Sequence, residues 1–189
     1  MSDSVPLTGE PPALDLVNTR ARGADGPVDH LGDLAGMRSW LALQADRLPE
    51  AQAAARATLD EQDLAAVHAV REHIAAAVRA GMEGKELSAG DIDGLNRALA
   101  AAPAVRRLAR DGTAVTAAFL RTGSIGAQLA ARFAEDAADL LGEASRIRQC
   151  ENEDCVMVFL PAHPRRRWCA PDRCGNRARV ARYYQRHKT

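Results

Sequence analysis

Cys150-Glu-Asn-Glu-Asp-Cys155 and Cys169-Ala-Pro-Asp-Arg-Cys174 hold all four cysteines of the 189-residue chain, with four residues inside each pair and thirteen between the pairs. Short turns with that spacing present thiolates in twos to one tetrahedral Zn²⁺. A terminal segment of about 45 residues buries too little core to fold unaided, and below roughly 70 residues a fold ordinarily needs a disulfide or a metal. No apolar leader follows Met1. No apolar run reaches the roughly 18 residues of a membrane span, so the chain is expected to be soluble and cytoplasmic. Thiols stay reduced in that compartment, which makes the cysteines metal ligands rather than cystines. The expected cofactor is one structural Zn²⁺ held by Cys150, Cys155, Cys169 and Cys174, because four protein ligands leave no coordination position open for catalysis.

The same segment is dense in arginine: Arg165, Arg166, Arg167, Arg173, Arg177, Arg179, Arg182 and Arg186 flank or follow the second cysteine pair. Formal net charge is zero, yet from Arg146 onward eleven Lys or Arg face four Asp or Glu, giving +7 there and −7 on the remainder. Four thiolates around one Zn²⁺ lower the positive figure to about +5. Two readings fit these arginines. Arg165, Arg166, Arg167, Arg177, Arg179, Arg182 and Arg186 can contact phosphates, and guanidinium groups can read guanine edges in a major groove. Alternatively they offset the thiolate shell or dock against the acidic remainder of the chain. Arginine also supplies 23 of the 25 basic residues in an alanine-rich sequence, which fits GC-rich coding.

Around the cysteines, residues 146–149 and 156–160 are expected as strands leading into and out of the first turn. A helix over about 176–187 follows the second turn, with Cys174 at its N-terminus, where N–H groups stabilise a thiolate. On that helix Val180, Tyr183, Tyr184 and His187 share one arc, and Arg179, Arg182 and Arg186 the other. Trp168, Tyr183 and Tyr184 can stack on bases or form the core of so small a module.

Upstream, 47% hydrophobic but only 4% aromatic residues favour a tightly packed helical part. After a polar lead-in over residues 1–12, a short apolar element over 13–17 ends in Asn18, Thr19 and Arg20 and runs into a glycine-containing loop over 21–30. Asn18 and Arg20 are candidate ligand-binding residues; the other reading is that Asn18 and Thr19 satisfy backbone groups at a helix end. A helix over about 33–48 is expected to stop at Pro49. Thr58 and Glu61 have the capping-box pattern ahead of Leu64, Val67, Val70, Ile74 and Val78, which recur at helical spacing up to Gly81. Ser88 and Asp91 open a further helix with Ile92, Leu95 and Leu99 facing inward, closed by Pro103. Asp111-Gly112 between residues 105–110 and 113–119 has the pattern of a β-hairpin with a type I′ turn. Ile125, Leu129, Phe133, Ala137 and Leu141 mark a last long helix, with Gly142 as its stop and as the domain boundary. The fold class expected is therefore mainly α with a small β-hairpin (α+β) over residues 1–143, plus a small treble-clef-like zinc-binding module over residues 144–189.

No phosphate-binding glycine loop, nucleophile elbow, dinucleotide turn or His-Glu-x-x-His is present. His68 and His73 are five residues apart, off a common helix face, and His163 is either a loop residue or a phosphate or metal contact. Enzymatic activity is not expected.

Cys174-Gly-Asn-Arg177 completes a pattern that resembles the CGNR zinc finger: two C-x₄-C pairs, an intervening Phe159-Leu160 strand, an Arg167-Trp-Cys169 approach and the tetrapeptide itself. Within it Gly175 would allow a tight turn, Asn176 would cap the helix, and Arg177 would face a phosphate or the thiolates. Leu14-Asp-Leu-Val-Asn-Thr-Arg20 is similar to the ABATE domain, which accompanies that finger in bacterial proteins described as stress-induced transcription regulators. The resemblance covers nearly the whole chain. It implies the four cysteines as ligands and a zinc-containing, DNA-binding transcription regulator with a helical sensor or oligomerisation domain. The alternative is a finger serving as a protein-interaction or structural module on a ligand-binding or enzymatic N-terminal domain. The partners expected are double-stranded DNA, a small-molecule effector for the helical domain and, from the half-site logic of small DNA readers, a second copy of the chain.

Overall fold

Leu64, Val67, Val70, Ile74, Ala77 and Val78 are all buried on one face of α4 (Glu61–Met82), the longest helix of the computed structural model, which describes residues 9–23 and 26–187. Residues 1–8 of the polar lead-in expected over 1–12, and Lys188, lie outside the described residues. Parallel to α4 and packed on that face runs α6 (Ile125–Leu141), which buries Leu129, Phe133, Ala137 and Leu140. The two backbones touch at Gly126, where a Cβ would fall 2.4 Å from the Asp63 Cα, and the Gly126 N–H donates to the Asp63 carboxylate at 2.6 Å. Trp40 of α2 (Leu34–Gln44) closes one side of this core, 5.7 Å from the Phe133 ring. Also packed there are α1 (Pro12–Val17) and α3 (Pro49–Ala54), while α5 (Ala89–Ala101) lies along α4 and α6. Among the described residues no helix is long and apolar enough to cross a membrane.

Several local expectations are displaced. The α4 cap is Asp60, whose carboxylate accepts from the Gln62 and Asp63 N–H groups at 2.9 Å, with Asp63 answering in a capping box; Thr58 and Glu61 are not the pair. Pro49 does not stop a helix but opens α3, because a proline at the first helical position gives up only an N–H that has no helical partner. Ile92 is 45% exposed, so only Leu95 and, partly, Leu99 face inward from α5.

Three two-stranded antiparallel sheets are found among the described residues. The expected loop after Arg20 is a hairpin of β1 (Arg20–Gly23) and β2 (Gly26–Asp29). Arg71 of α4 is 1% exposed and fixes this hairpin, donating twice to Asp29 at 2.7 Å and once to the Thr19 hydroxyl at 2.9 Å. The expected second hairpin forms from β3 (Val105–Asp111) and β4 (Ala114–Leu120), but its turn is Gly112-Thr113. Gly112 has φ 60° and no described non-glycine residue has a positive φ, which fits type II′ and not I′. A β-branched Thr113 cannot pay the cost of the left-handed region that I′ demands.

Candidate metal centre

β5 (Arg148–Gln149) and β6 (Val158–Phe159) frame the first cysteine turn, and a wide helical turn over Pro171–Gly175 leads directly into α7 (Asn176–His187). The far edge of β6 is completed by side chains instead of a third strand. The Asn18 amide donates to the Val158 carbonyl at 2.8 Å and accepts from the Val158 N–H at 2.9 Å. Glu10 then accepts from the Leu160 N–H at 3.0 Å. Val158 and Ile147 belong to the main core, whereas Phe159 belongs to a second cluster with Cys150, Cys169, Ala170 and Cys174.

None of the cysteines forms a disulfide, and their four sulfurs lie within 4.8 Å of one another. Four thiolates at about 2.3 Å from a common centre stand about 3.8 Å apart at tetrahedral corners. Cys169 Sγ is 3.7 Å from Cys155 Sγ and 3.6 Å from Cys174 Sγ. The donor set and its spacing therefore fit one zinc ion, and the protonation chemistry asks for it. Hydrogen bonding with Cys169 pushes the Cys155 thiol down to about 5, while the same hydrogen bond and burial push Cys169 far up. Burial raises Cys174 to about 12. The cluster sheds one proton easily and further ones only against thiolate repulsion, which a divalent cation relieves. The site is a structural zinc centre: Cys150, Cys155, Cys169 and Cys174 would hold the ion, with the Cys169 N–H donating to Cys150 Sγ at 3.4 Å.

The tetrapeptide after the last cysteine is built differently from the expectation. Gly175 has no positive φ; a Cβ there would fall 3.4 Å from the Trp168 ring. Asn176 has helical φ and ψ, and its amide donates back to the Asp172 carbonyl at 2.6 Å in place of capping α7. Arg177 borders a cavity of about 50 Å³ beside Cys155, Cys169 and Cys174, opposite Ala21, Arg22 and His30. Burial lowers the His30 pKa, and its Nε2 has no hydrogen-bond partner.

The arginines divide into two groups. Arg166 is a structural residue: it lies over the Phe159 ring at 4.4 Å and donates to Glu10 at 2.6 Å, to the Cys169 carbonyl at 2.6 Å and to the Trp168 carbonyl at 3.1 Å. Arg167 pairs with Glu151 and stands over the Trp168 ring at 5.6 Å. Arg165 is exposed, as are Arg179, Arg182 and Arg186 on α7, where Arg179 donates to the Asn176 side chain at 2.7 Å and Arg182 to the Ala178 carbonyl at 3.1 Å. Tyr183 and Tyr184 are 60% and 64% exposed, so neither forms the core of the module; only Trp168 packs there. No residue of α7 is buried.

The two upstream candidates are placed apart in role. Asn18 is 1% exposed with both ends of its amide engaged by Val158, and Arg20 is exposed beside Glu72 and Asp29. His163 Nδ1 accepts from the Arg165 N–H at 3.2 Å, and His68 and His73 meet the Leu31 carbonyl and Asp91. Sequence reasoning missed Glu10, Asp15 and Arg71. Asp15, which accepts from the Gln44 amide at 3.1 Å and pairs with Arg47, is signalled only as a charge between Leu14 and Leu16, while Glu10 and Arg71 carry no local signal.

A model of the CGNR zinc finger matches residues 146–187, and the ABATE model, described as "Putative stress-induced transcription regulator", matches residues 10–144. A search of the curated proteins finds no match. With more than half its length matched, and with the four cysteines gathered as a metal centre requires, the chain belongs to the ABATE family and carries a CGNR zinc finger.

Proposed function

We propose that the protein is a non-catalytic, DNA-binding transcription regulator of bacterial type whose zinc module provides the contact surface. The observation that supports this is α7: twelve residues with no buried side chain, four arginines and no acidic residue. A helix that contributes nothing to its own core and faces solvent with one sign of charge is suited to the phosphates flanking a major groove. Arg179, Arg182 and Arg186 form its contact set, joined by Arg165 from the loop before the second cysteine pair. Arg166 and Arg167 are excluded from it, because they are occupied by Glu10 and Glu151. Tyr183 and Tyr184, lying exposed beside the arginines, add stacking surface. The family description agrees with this reading.

The test is fluorescence anisotropy of the zinc-loaded protein with duplex DNA across a salt series. About four phosphate contacts give a slope of roughly −3.6 in log K against log salt. Changing Arg179, Arg182 and Arg186 together to Glu should abolish binding with zinc content unchanged. Binding that survives the triple reversal overturns the proposal.

A further inference from the structure

Five of the eleven large apolar side chains exposed among the described residues sit on one hairpin: Val105, Leu108, Val115, Phe119 and Leu120, each between 46% and 69% exposed. Every residue of β3 and β4 is exposed, so neither face of this two-stranded sheet rests on the protein. A lone hairpin in water is marginal at best, and three or more strands with a covered face are ordinarily needed. The two open edges differ in charge. β3 carries Arg106, Arg107, Arg110 and Asp111; β4, Ala114-Val-Thr-Ala-Ala-Phe-Leu120, carries no charge and no proline. Charges and prolines are what keep an edge strand from pairing, and β4 has neither.

We infer that β4 pairs with β4 of a second copy of this chain, making a four-stranded antiparallel sheet across a two-fold axis. The register follows from the hairpin. With a two-residue turn the closing pair Asp111↔Ala114 exchanges hydrogen bonds, as does every second pair beyond it, so the N–H and C=O groups of Val115, Ala117 and Phe119 point out of the open edge. A two-fold axis through Ala117 sets Ala117 against its copy and Val115 against Phe119 of the copy. Every outward donor and acceptor is then used. An aromatic residue opposite a β-branched one is a favourable cross-strand pair. Leu108 lies opposite Ala117 within the hairpin, so Leu108, Val115 and Phe119 of both copies join into one apolar stripe along the middle of a face, bordered on the outer strands by Arg110 and by Arg106, which lies 5.8 Å from the Phe119 ring centre. The arginines of β3 fall on the two outer edges, separated from one another and facing water. Pairing through β3 would instead bring three arginines against three.

This association does not depend on DNA contact at α7, so either can fail without the other. Sedimentation velocity of the full-length, zinc-loaded protein over a concentration series tests it. The wild type should dimerise. Ala117→Lys sets two like charges opposite each other on the axis and should weaken the dimer by at least about tenfold; Ala117→Asp should do the same. Residue 117 is exposed, so the far-ultraviolet circular dichroism and zinc content of both variants should match the wild type. An equimolar mixture of the Lys and Asp variants should restore dimerisation as a heterodimer. A wild type that stays monomeric, a dimer that survives Ala117→Lys, or a mixture that fails to associate overturns the inference. So does a variant whose sole change is tighter DNA binding, which would place the hairpin on nucleic acid.

Discussion

Replacing Asn18 by alanine removes the only side chain that meets both polar groups of Val158. Its amide donates at 2.8 Å and accepts at 2.9 Å, at a site where Asn18 is 1% and Val158 9% exposed, so solvent cannot fill the vacated positions. A buried backbone group stripped of its partner costs roughly 1–3 kcal/mol. Two such groups put the expected loss at roughly 2–6 kcal/mol, a large fraction of the stability of an ordinary domain. Equilibrium urea unfolding of the zinc-loaded protein, followed by circular dichroism, measures it. Asn18→Asp should be at least as damaging, since a carboxylate keeps the bond from the Val158 N–H but confronts the Val158 carbonyl with negative charge. A loss below about 0.5 kcal/mol for Asn18→Ala, with zinc retained, would refute the role of clasp and return Asn18 to the ligand-binding candidates.

Three further outcomes follow from the packing and the charges. Gly126→Ala drives a Cβ into the Asp63 backbone, which lies 2.4 Å away at Cα and 2.7 Å at the carbonyl oxygen, and should lower stability by about 1–3 kcal/mol, read as a fall in the thermal midpoint. For Asp29, burial works to raise the pKa, but hydrogen bonds from Arg71 and Leu31 outweigh it and hold the value below the usual carboxylate range. The stability from this pair is therefore complete above an unfolded pKa of about 3.9 and disappears as pH falls through the lower native value. Asp29→Asn should flatten that acid limb and, at neutral pH, cost about 3 kcal/mol by orphaning a guanidinium that is 1% exposed. Cys169→Ser should lose stoichiometric zinc in elemental analysis and, with it, the ordered second core of Phe159 and Ala170; retained zinc would reject the ligand set.

What could be read from the sequence is what acts locally. Four cysteines at fixed spacing, the periodic apolar positions of α4 and α6, and a glycine turn between two strand-like runs all carry their signal within a few residues; the first two appear where expected, and the hairpin does so with its turn moved one residue onward. Asn18 and Glu10 could not be read in this way. Their partners, Val158 and Leu160, lie 140 and 150 residues onward, and a polar residue near a helix end is indistinguishable locally from a cap or a ligand contact. Arg166 shows the same limit inside the metal module. It sits in a run of three arginines of one composition, yet only tertiary placement over Phe159 separates it from exposed Arg165. Near-misses were competitions between neighbours: Asp60 outcompetes Thr58 as a cap because a carboxylate two residues nearer reaches two N–H groups. Tyr183 and Tyr184 failed as core residues because α7 leaves the module beyond its second cysteine turn instead of folding back on it.

The central claim is that α7 is the surface that meets DNA, and amide hydrogen exchange of the zinc-loaded protein with and without duplex DNA tests it most directly. The account predicts slowed exchange over residues 176–187 and at the loop carrying Arg165, with residues 105–120 unchanged by DNA. Protection confined to the β3–β4 hairpin, or none on α7 under conditions where DNA is bound, would contradict it.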